Sequence, residues 1–360
     1  MAAPAIEHTK IEQAKLDALL GRALGDLSAG YGGVMISIGH KLGLFKAMAG
    51  AGPISSRELA ARAGCAERYV REWLNAQVAG GYVDYHAVSS TYELSPEQAI
   101  VLADEDSPVF FPNAWNVPAS MWLDEDKAVD AFRTGNGVAW GDHHDRLHQG
   151  VAAFYRNAYR SSLITEWLPA LDGVLEQLEA GITVADVGCG HGHSTILMAQ
   201  AFPRSRFHGF DTHVESIHEA RRLAFEAGVA DRVEFDVARA VDYPDNRYGL
   251  IAFFDCLHDL GDPVAAARHA AKTLAPRGTV LLIEPFANDR VEDNISPVGR
   301  LYYAASTVIC CAHSISEGAD LVLGAQAGEA RLTEVFSKAG LPRVRRAATT
   351  PFNLVLEVRR

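Results

Sequence analysis

The sequence is short of basic residues, of paired cysteines and of long apolar runs. Its 360 residues hold 33 Lys and Arg against 45 Asp and Glu, a net charge of -12, which repels phosphate backbones and anionic lipid. The five cysteines, Cys65, Cys189, Cys256, Cys310 and Cys311, include no CxxC pair, so neither a disulfide framework nor a thiolate zinc site is expected. No apolar run approaches the roughly 20 residues that span a bilayer, and the opening MAAPAIEHTK lacks the basic-then-apolar layout of a signal peptide. These absences predict a chain with reduced thiols in the cytoplasm, and speak against a membrane protein or a nucleic-acid-coating one. With 48% apolar and 22% charged residues, the composition is that of an ordinary globular protein, long enough for two domains.

Leu16, Leu19, Leu20, Leu24 and Leu27 fall on one face of a helical stretch that starts near Lys10. Gly30-Tyr31-Gly32-Gly33 predicts a break before a second apolar helix, Val34 to Met48. Ser55 and Glu58 have the spacing of a capping box, Gly64 suits the end of that helix, and a further helix from Ala66 stops at Gly80-Gly81. Two β-rich runs then flank Ser89-Ser90, which gives the helix, turn, helix and hairpin order of a winged helix. Helical patterning resumes to about Gly181, with Val151, Tyr155, Tyr159, Leu163 and Trp167 every four residues; this stripe reads mainly as packing, with a place beside a cleft also open to it. After Gly181 short β-branched runs alternate with helices, the pattern of a parallel, doubly wound α/β sheet with an antiparallel finish.

The most informative stretch is Val184-Ala-Asp-Val-Gly-Cys-Gly-His-Gly-His193, where the first of these strands meets a helix. Glycines at 188, 190 and 192 give GxGxG; His193 breaks the dinucleotide pattern GxGxxG, and no GK[ST] follows to make a P-loop. Such a turn lies where open α/β sheets bind ligands. A carboxylate at Asp186 suits an ammonium or sulfonium group better than a pyrophosphate. Asp211 ends the second strand, where a carboxylate can accept ribose hydroxyls, and Asp236 ends the third, where it can accept from an amino group.

These residues resemble the class I S-adenosylmethionine-dependent methyltransferases, in a Rossmann-like doubly wound α/β fold preceded by an all-helical, winged-helix dimerisation domain. The whole chain looks like the bacterial relatives of the plant small-molecule O-methyltransferases. The resemblance implies three segments: 1–103 for the winged-helix dimerisation domain, 104–165 for a helical linker, and 166–360 for catalysis. It also implies a homodimer and a set of residues for S-adenosylmethionine and its product S-adenosylhomocysteine. That set is Asp186, Gly188, Gly190, Gly192, Asp211, Asp236 and Val237, with Phe254 and Asp255 at the end of the fourth strand. In Phe253-Phe-Asp-Cys-Leu-His-Asp-Leu-Gly-Asp262, His258 matches the family's general base, with Glu284 in Leu282-Ile-Glu-Pro to orient it. Glu329 is the second orienting acid, in a motif that departs from the family's because Ala330 stands between it and Arg331. The segment 296–324, with Arg300, Tyr302, Tyr303 and His313, falls where this family builds its substrate lid.

Two other readings compete. An iron-dependent relative that methylates carbon would use His258, Asp259 and His313, a two-histidine, one-carboxylate set that suits iron(II) and a keto-acid substrate. A DNA-binding regulator would use Ala66 to Leu74 as its recognition helix, but Glu67 and Glu72 offset Arg68 and Arg71 there, and no Lys or Arg stands between Asp84 and Glu93. A protein that binds the cofactor without transferring methyl would carry the same motifs. The expected partner is a small, planar, partly apolar acceptor, and neither nucleic acid nor membrane.

Overall fold

The computed structural model describes residues 11–360. The chain divides into two compact units, Met1–Trp115 and Asn116–Arg360.

The first unit begins with α1, Gln13–Lys41, one unbroken helix of 29 residues. The glycines at 30, 32 and 33 therefore do not break it, contrary to the sequence expectation. At Gly33 the reason is packing: a Cβ there would lie 2.2 Å from the Trp115 ring, so the glycine lets that ring lie against the helix. Four short helices and a hairpin follow: α2, Leu44–Met48; α3, Ser56–Ala63; α4, Glu67–Ala79; β1, Asp84–His86, paired with β2, Thr91–Glu93; and α5, Pro96–Leu102. The capping box of Ser55 and Glu58 is formed, and Gly64 ends α3 in the left-handed conformation. Phe45, Leu59, Val70, Trp73 and Leu74 make the core of this winged helix. On α4, Arg68 pairs with Glu72 and Arg71 with Glu67, so the guanidinium charges of the would-be recognition helix are matched within it. Leu19, Leu20, Leu24, Leu27, Tyr31 and Val34 of α1 are all more than half exposed, an apolar stripe left uncovered among the described residues.

The second unit opens with helices α6, Asn116–Leu123, α7, Glu125–Thr134, and α8, Arg146–Ala158. α8 runs on into a π-helical stretch, Tyr159–Trp167, in which Leu168 N–H donates to the Leu163 carbonyl. After α9, Val174–Ala180, come β3, Thr183–Val187; α10, His193–Ala201; β4, Arg206–Asp211; α11, Val214–Glu226; β5, Val233–Val237; β6, Tyr248–Phe254; α12, Pro263–Thr273; and β7, Leu274–Pro285. Two helices, α13, Pro297–Val308, and α14, Cys310–Ser316, precede α15, Gly328–Lys338, and the closing strands β8, Arg343–Thr349, and β9, Asn353–Arg359. The seven-stranded order is β5-β4-β3-β6-β7-β9-β8, with β9 antiparallel to both of its neighbours. Its central strands are apolar runs because helices cover both faces, and the two core clusters lie on opposite sides of the sheet. Strands β4 and β5 are added outward on one side of β3, and β6 and β7 on the other, so the crevice at the carboxyl ends of the parallel pair β3 and β6 is where such a sheet receives a ligand. Among the described residues no helix is long and apolar enough to cross a membrane.

Candidate active site

One cavity of about 160 Å³ lies at that crevice, against about 10 Å³ for the next one among the described residues. Its wall on the sheet side is Gly188, Cys189 and Gly190 after β3, Asp211 and Thr212 after β4, and Phe254, Asp255 and Cys256 after β6. Opposite them stand Trp140, His148, Tyr155 and Tyr159 from the helices before the sheet, and His313 from α14.

The glycine turn owes its shape to what surrounds it. Gly188 has φ +74°, and a Cβ there would lie 2.7 Å from Cys256 Sγ, so the turn presses against the loop after β6. Gly190 has φ +52° and no atom within 4 Å of the Cβ position, which leaves bare backbone beside open space. A second close approach is at Gly192, where a Cβ would meet the Phe235 ring at 2.4 Å. Asp211 holds the turn from β4: its Oδ2 accepts from Gly190 N–H at 2.9 Å and its Oδ1 from His213 N–H at 2.9 Å. Each carboxylate oxygen keeps a further lone pair for hydroxyl donors on the cavity side. Bare amides, an open glycine and an anchored carboxylate are what a nucleoside with a ribose diol and an amino-acid tail requires, so the residues fit S-adenosylmethionine.

Asp186 is placed differently from the expectation. Its side chain is fully buried below the turn, where Oδ2 accepts from the Ser194 and Thr195 hydroxyls at 2.6 Å each, and it does not line the cavity. Burial pushes its pKa up to about 6. The carboxylate thus ties β3 to the start of α10 through Oδ2, while its Oδ1, also buried, meets no hydrogen-bond partner. Asp236 and Val237 also lie off the cavity wall: Asp236 is exposed and paired with Arg221 at 3.3 Å, and Val237 is half exposed at the edge of the sheet. The chain beyond β5 turns back instead, where Ala238 N–H donates to the Asp211 carbonyl at 3.1 Å, so Ala238 and Ala240 supply that wall. Two alanines leave no polar mark in a sequence.

His258 and Glu284 do meet. Nδ1 of His258 lies 2.5 Å from Glu284 Oε2, and Glu284 Oε1 accepts from Leu257 N–H at 3.0 Å. Burial opposes charge on this imidazole, but Glu284 and the Cys310 thiol, in hydrogen-bonding reach of the ring, outweigh it and hold His258 well above the ordinary imidazole range. The ring is buried and does not line the cavity, although the next two residues, Asp259 and Leu260, do. Glu329 does not join this pair: its carboxylate binds the Arg346 guanidinium at 2.5 Å. The local cause is the Gly328 turn, at which Ala330 N–H is fastened to Asp289 Oδ1 at 2.9 Å. His258, Asp259 and His313 likewise do not converge as metal ligands, and among the described residues no three His, Cys, Asp or Glu side chains are placed to hold a metal ion. His258 is turned to Glu284, while His313 Nδ1 accepts from Trp140 N–H at 3.2 Å.

The aromatic stripe serves both purposes weighed for it. Leu163 and Trp167 are core, while Val151, Tyr155 and Tyr159 line the cavity, the tyrosine rings stacked at 6.2 Å and 14°. His148, His191 and His193 line it too, and burial lowers all three, His193 to about 4, so near neutral pH this is an uncharged, aromatic wall.

Against known proteins, residues 30–104 match an Rv2258c-like winged HTH domain and residues 178–340 a methyltransferase domain. The chain thus joins a winged-helix domain to a methyltransferase domain. A 27-O-demethylrifamycin SV methyltransferase of Amycolatopsis mediterranei is 32% identical over 158 residues, 43% of this methyltransferase and 56% of that one. Ajmaline N-methyltransferase of Rauvolfia serpentina is 28% identical over 106 residues, 29% of this chain and 36% of the relative. The match thus spans little more than half of the first curated relative and about a third of the second. The fold is shared end to end with an O-methyltransferase family protein of Burkholderia thailandensis (TM-score 0.69, 16% identity, 98% of this chain and 99% of that one). It is shared equally with human N-acetylserotonin methyltransferase, solved with S-adenosylmethionine (TM-score 0.64, 17% identity, 98% and 99%).

Proposed function

We propose that this methyltransferase moves a methyl group from S-adenosylmethionine to an oxygen of a small, planar acceptor. The observation that carries the reading is the single cavity that joins the glycine turn and Asp211 to Tyr155, Tyr159, Trp140 and His313. S-adenosylmethionine, when bound, supplies the electrophilic methyl group and leaves as S-adenosylhomocysteine. Gly190 and Asp211 hold the nucleoside end, and the tyrosines hold the acceptor in line for attack, which is a large part of what catalysis of such a displacement needs. His258, fixed by Glu284, takes the acceptor's hydroxyl proton as the new oxygen–carbon bond forms. Because the Cys310 thiol now lies against His258, the hydroxyl reaches the ring by displacing that thiol, the first residue of α14. An uncharged aromatic wall favours an acceptor that is itself uncharged over most of its area.

The reading includes a homodimer, supported by the exposed leucines of α1. Its test has two steps. Isothermal titration should show binding of S-adenosylhomocysteine, and a mass-spectrometric screen of phenols, carboxylates, amines, thiols and keto acids should show the methyl gain on phenols or enols. His258→Gln should cut turnover by about 10²–10⁴ with the affinity for S-adenosylhomocysteine kept within twofold. Loss of that affinity, or methyl gain on amines with His258→Gln fully active, contradicts the assignment.

A further inference from the structure

Asp255, the residue after β6, is built into the cavity under strain and with one oxygen to spare. Its φ is +52°, a left-handed backbone conformation that a residue other than glycine adopts at some cost. One oxygen is fixed: Oδ1 accepts from Asn353 Nδ2 at 2.8 Å, and Asn353 is itself buried at the start of β9. The other, Oδ2, is shut off from solvent and meets no hydrogen-bond partner. A buried polar atom left unmatched in a native protein is costly, and beside a cavity a ligand group can supply the match.

We propose that Asp255 is the anchor for the acceptor: its Oδ2 pairs with a second oxygen of the acceptor, carried next to the hydroxyl that is methylated. This rests on the methyl-transfer reading above and narrows its acceptor to ortho-oxygenated phenols or enols. It also gives to the acceptor a residue that the sequence alone would assign to the cofactor.

The geometry carries the inference: Asp255 lines the cavity, Asn353 holds its Oδ1, and its Oδ2 is left without a partner. Its surroundings agree on three counts. First, the groups that weigh on Asp255 are Glu284, His258 and Asp259, the surroundings of the proposed base and not those of the nucleoside. Second, Asp255 shares the cavity wall with Tyr155 and Tyr159, so it stands at the foot of the aromatic shelf on which a planar acceptor would lie. Third, burial and then Glu284 press Asp255 towards the neutral acid and outweigh the opposing pull of His258 and of the Asn353 hydrogen bond. A neutral carboxyl whose Oδ1 already accepts from Asn353 carries its proton on Oδ2, as a donor. Its complement is an acceptor atom, a carbonyl, ester or ether oxygen, and not an ammonium group.

Asp255→Asn keeps a donor at that position and tolerates positive φ, whereas Asp255→Ala removes the donor, so the two variants separate the proposal from a merely structural role. The probes are phenol and 2'-hydroxyacetophenone, titrated by ligand-observed NMR into protein saturated with S-adenosylhomocysteine. We expect the wild type and Asp255→Asn to bind the ketone roughly tenfold more tightly than phenol, and Asp255→Ala to lose that preference. The affinity for S-adenosylhomocysteine should be the same in all three. In the infrared, the wild type should show a carboxylic-acid carbonyl band that is absent from Asp255→Asn. Equal preference in Asp255→Ala and the wild type, a preference lost equally in Asp255→Asn, absence of that band, or a fall in S-adenosylhomocysteine affinity in Asp255→Ala each overturn the inference alone. Failure of the wild type to bind S-adenosylhomocysteine strikes the methyl-transfer reading beneath it as well.

Discussion

Replacing Gly188 by alanine tests how the glycine turn and the loop after β6 are fitted together. With φ at +74°, an alanine at this position pays the left-handed backbone penalty of about 1–2 kcal/mol. Its methyl group would start 2.7 Å from Cys256 Sγ and 2.9 Å from Cys256 Cβ, well inside van der Waals contact. Cys256 cannot simply swing away, because its thiol donates to the Val187 carbonyl at 3.0 Å and its neighbour Asp255 is pinned by Asn353. Overpacking of this kind costs about 1–3 kcal/mol, so Gly188→Ala should lose about 2–5 kcal/mol in all. Urea unfolding, followed at the transition that S-adenosylhomocysteine shifts, measures this loss. A double-mutant cycle with Cys256→Ala divides it: removing the sulfur should return part of the packing share, about 1 kcal/mol, and none of the backbone share. A loss below about 0.5 kcal/mol for Gly188→Ala, or strictly additive energies in the cycle, would refute the steric account.

Gly190→Ala is the counterpart, since its methyl group meets no protein atom. It should cost only the backbone penalty in urea yet weaken S-adenosylhomocysteine at least tenfold in calorimetry, and an unaltered Kd would mean that the turn does not face the cofactor. The pH profile of kcat/KM tests His258: a base must be unprotonated, and Glu284 with Cys310 raises this imidazole, so the ascending limb should lie above the ordinary value of about 6.5 and fall towards it in Glu284→Gln. The same sign governs stability. Below the unfolded value the charged pair contributes in full, and its contribution fades as pH rises through the raised folded value, which thermal unfolding across that range can follow. Leu24→Glu on the exposed stripe of α1 should yield monomers in light scattering while α3 and α4 stay folded by circular dichroism; a dimer that persists places the interface elsewhere.

The sequence by itself determined the alternation of strands and helices, the winged helix, and the glycine turn, because each rests on local rules: period, capping and residues that tolerate positive φ. The helices expected to alternate with strands after Gly181 appear at His193–Ala201, Val214–Glu226, Pro263–Thr273 and Gly328–Lys338. Where a glycine serves packing and not a turn the same rules mislead, as at Gly33, whose partner Trp115 lies far along the chain. Only the tertiary structure decided which carboxylates face the cavity. Asp186, Asp211 and Asp236 all close or adjoin a strand, yet Asp186 is taken up by two hydroxyls of α10, Asp236 by Arg221, and Asp211 alone of the three lines the cavity. Glu284 meets His258 and Glu329 meets Arg346 for the same reason. A carboxylate goes to the nearest donor in space, and sheet order and the bend of each loop set that distance, which sequence spacing does not record. The unmatched oxygen of Asp255 belongs with these, since a missing partner is a property of everything packed around an atom.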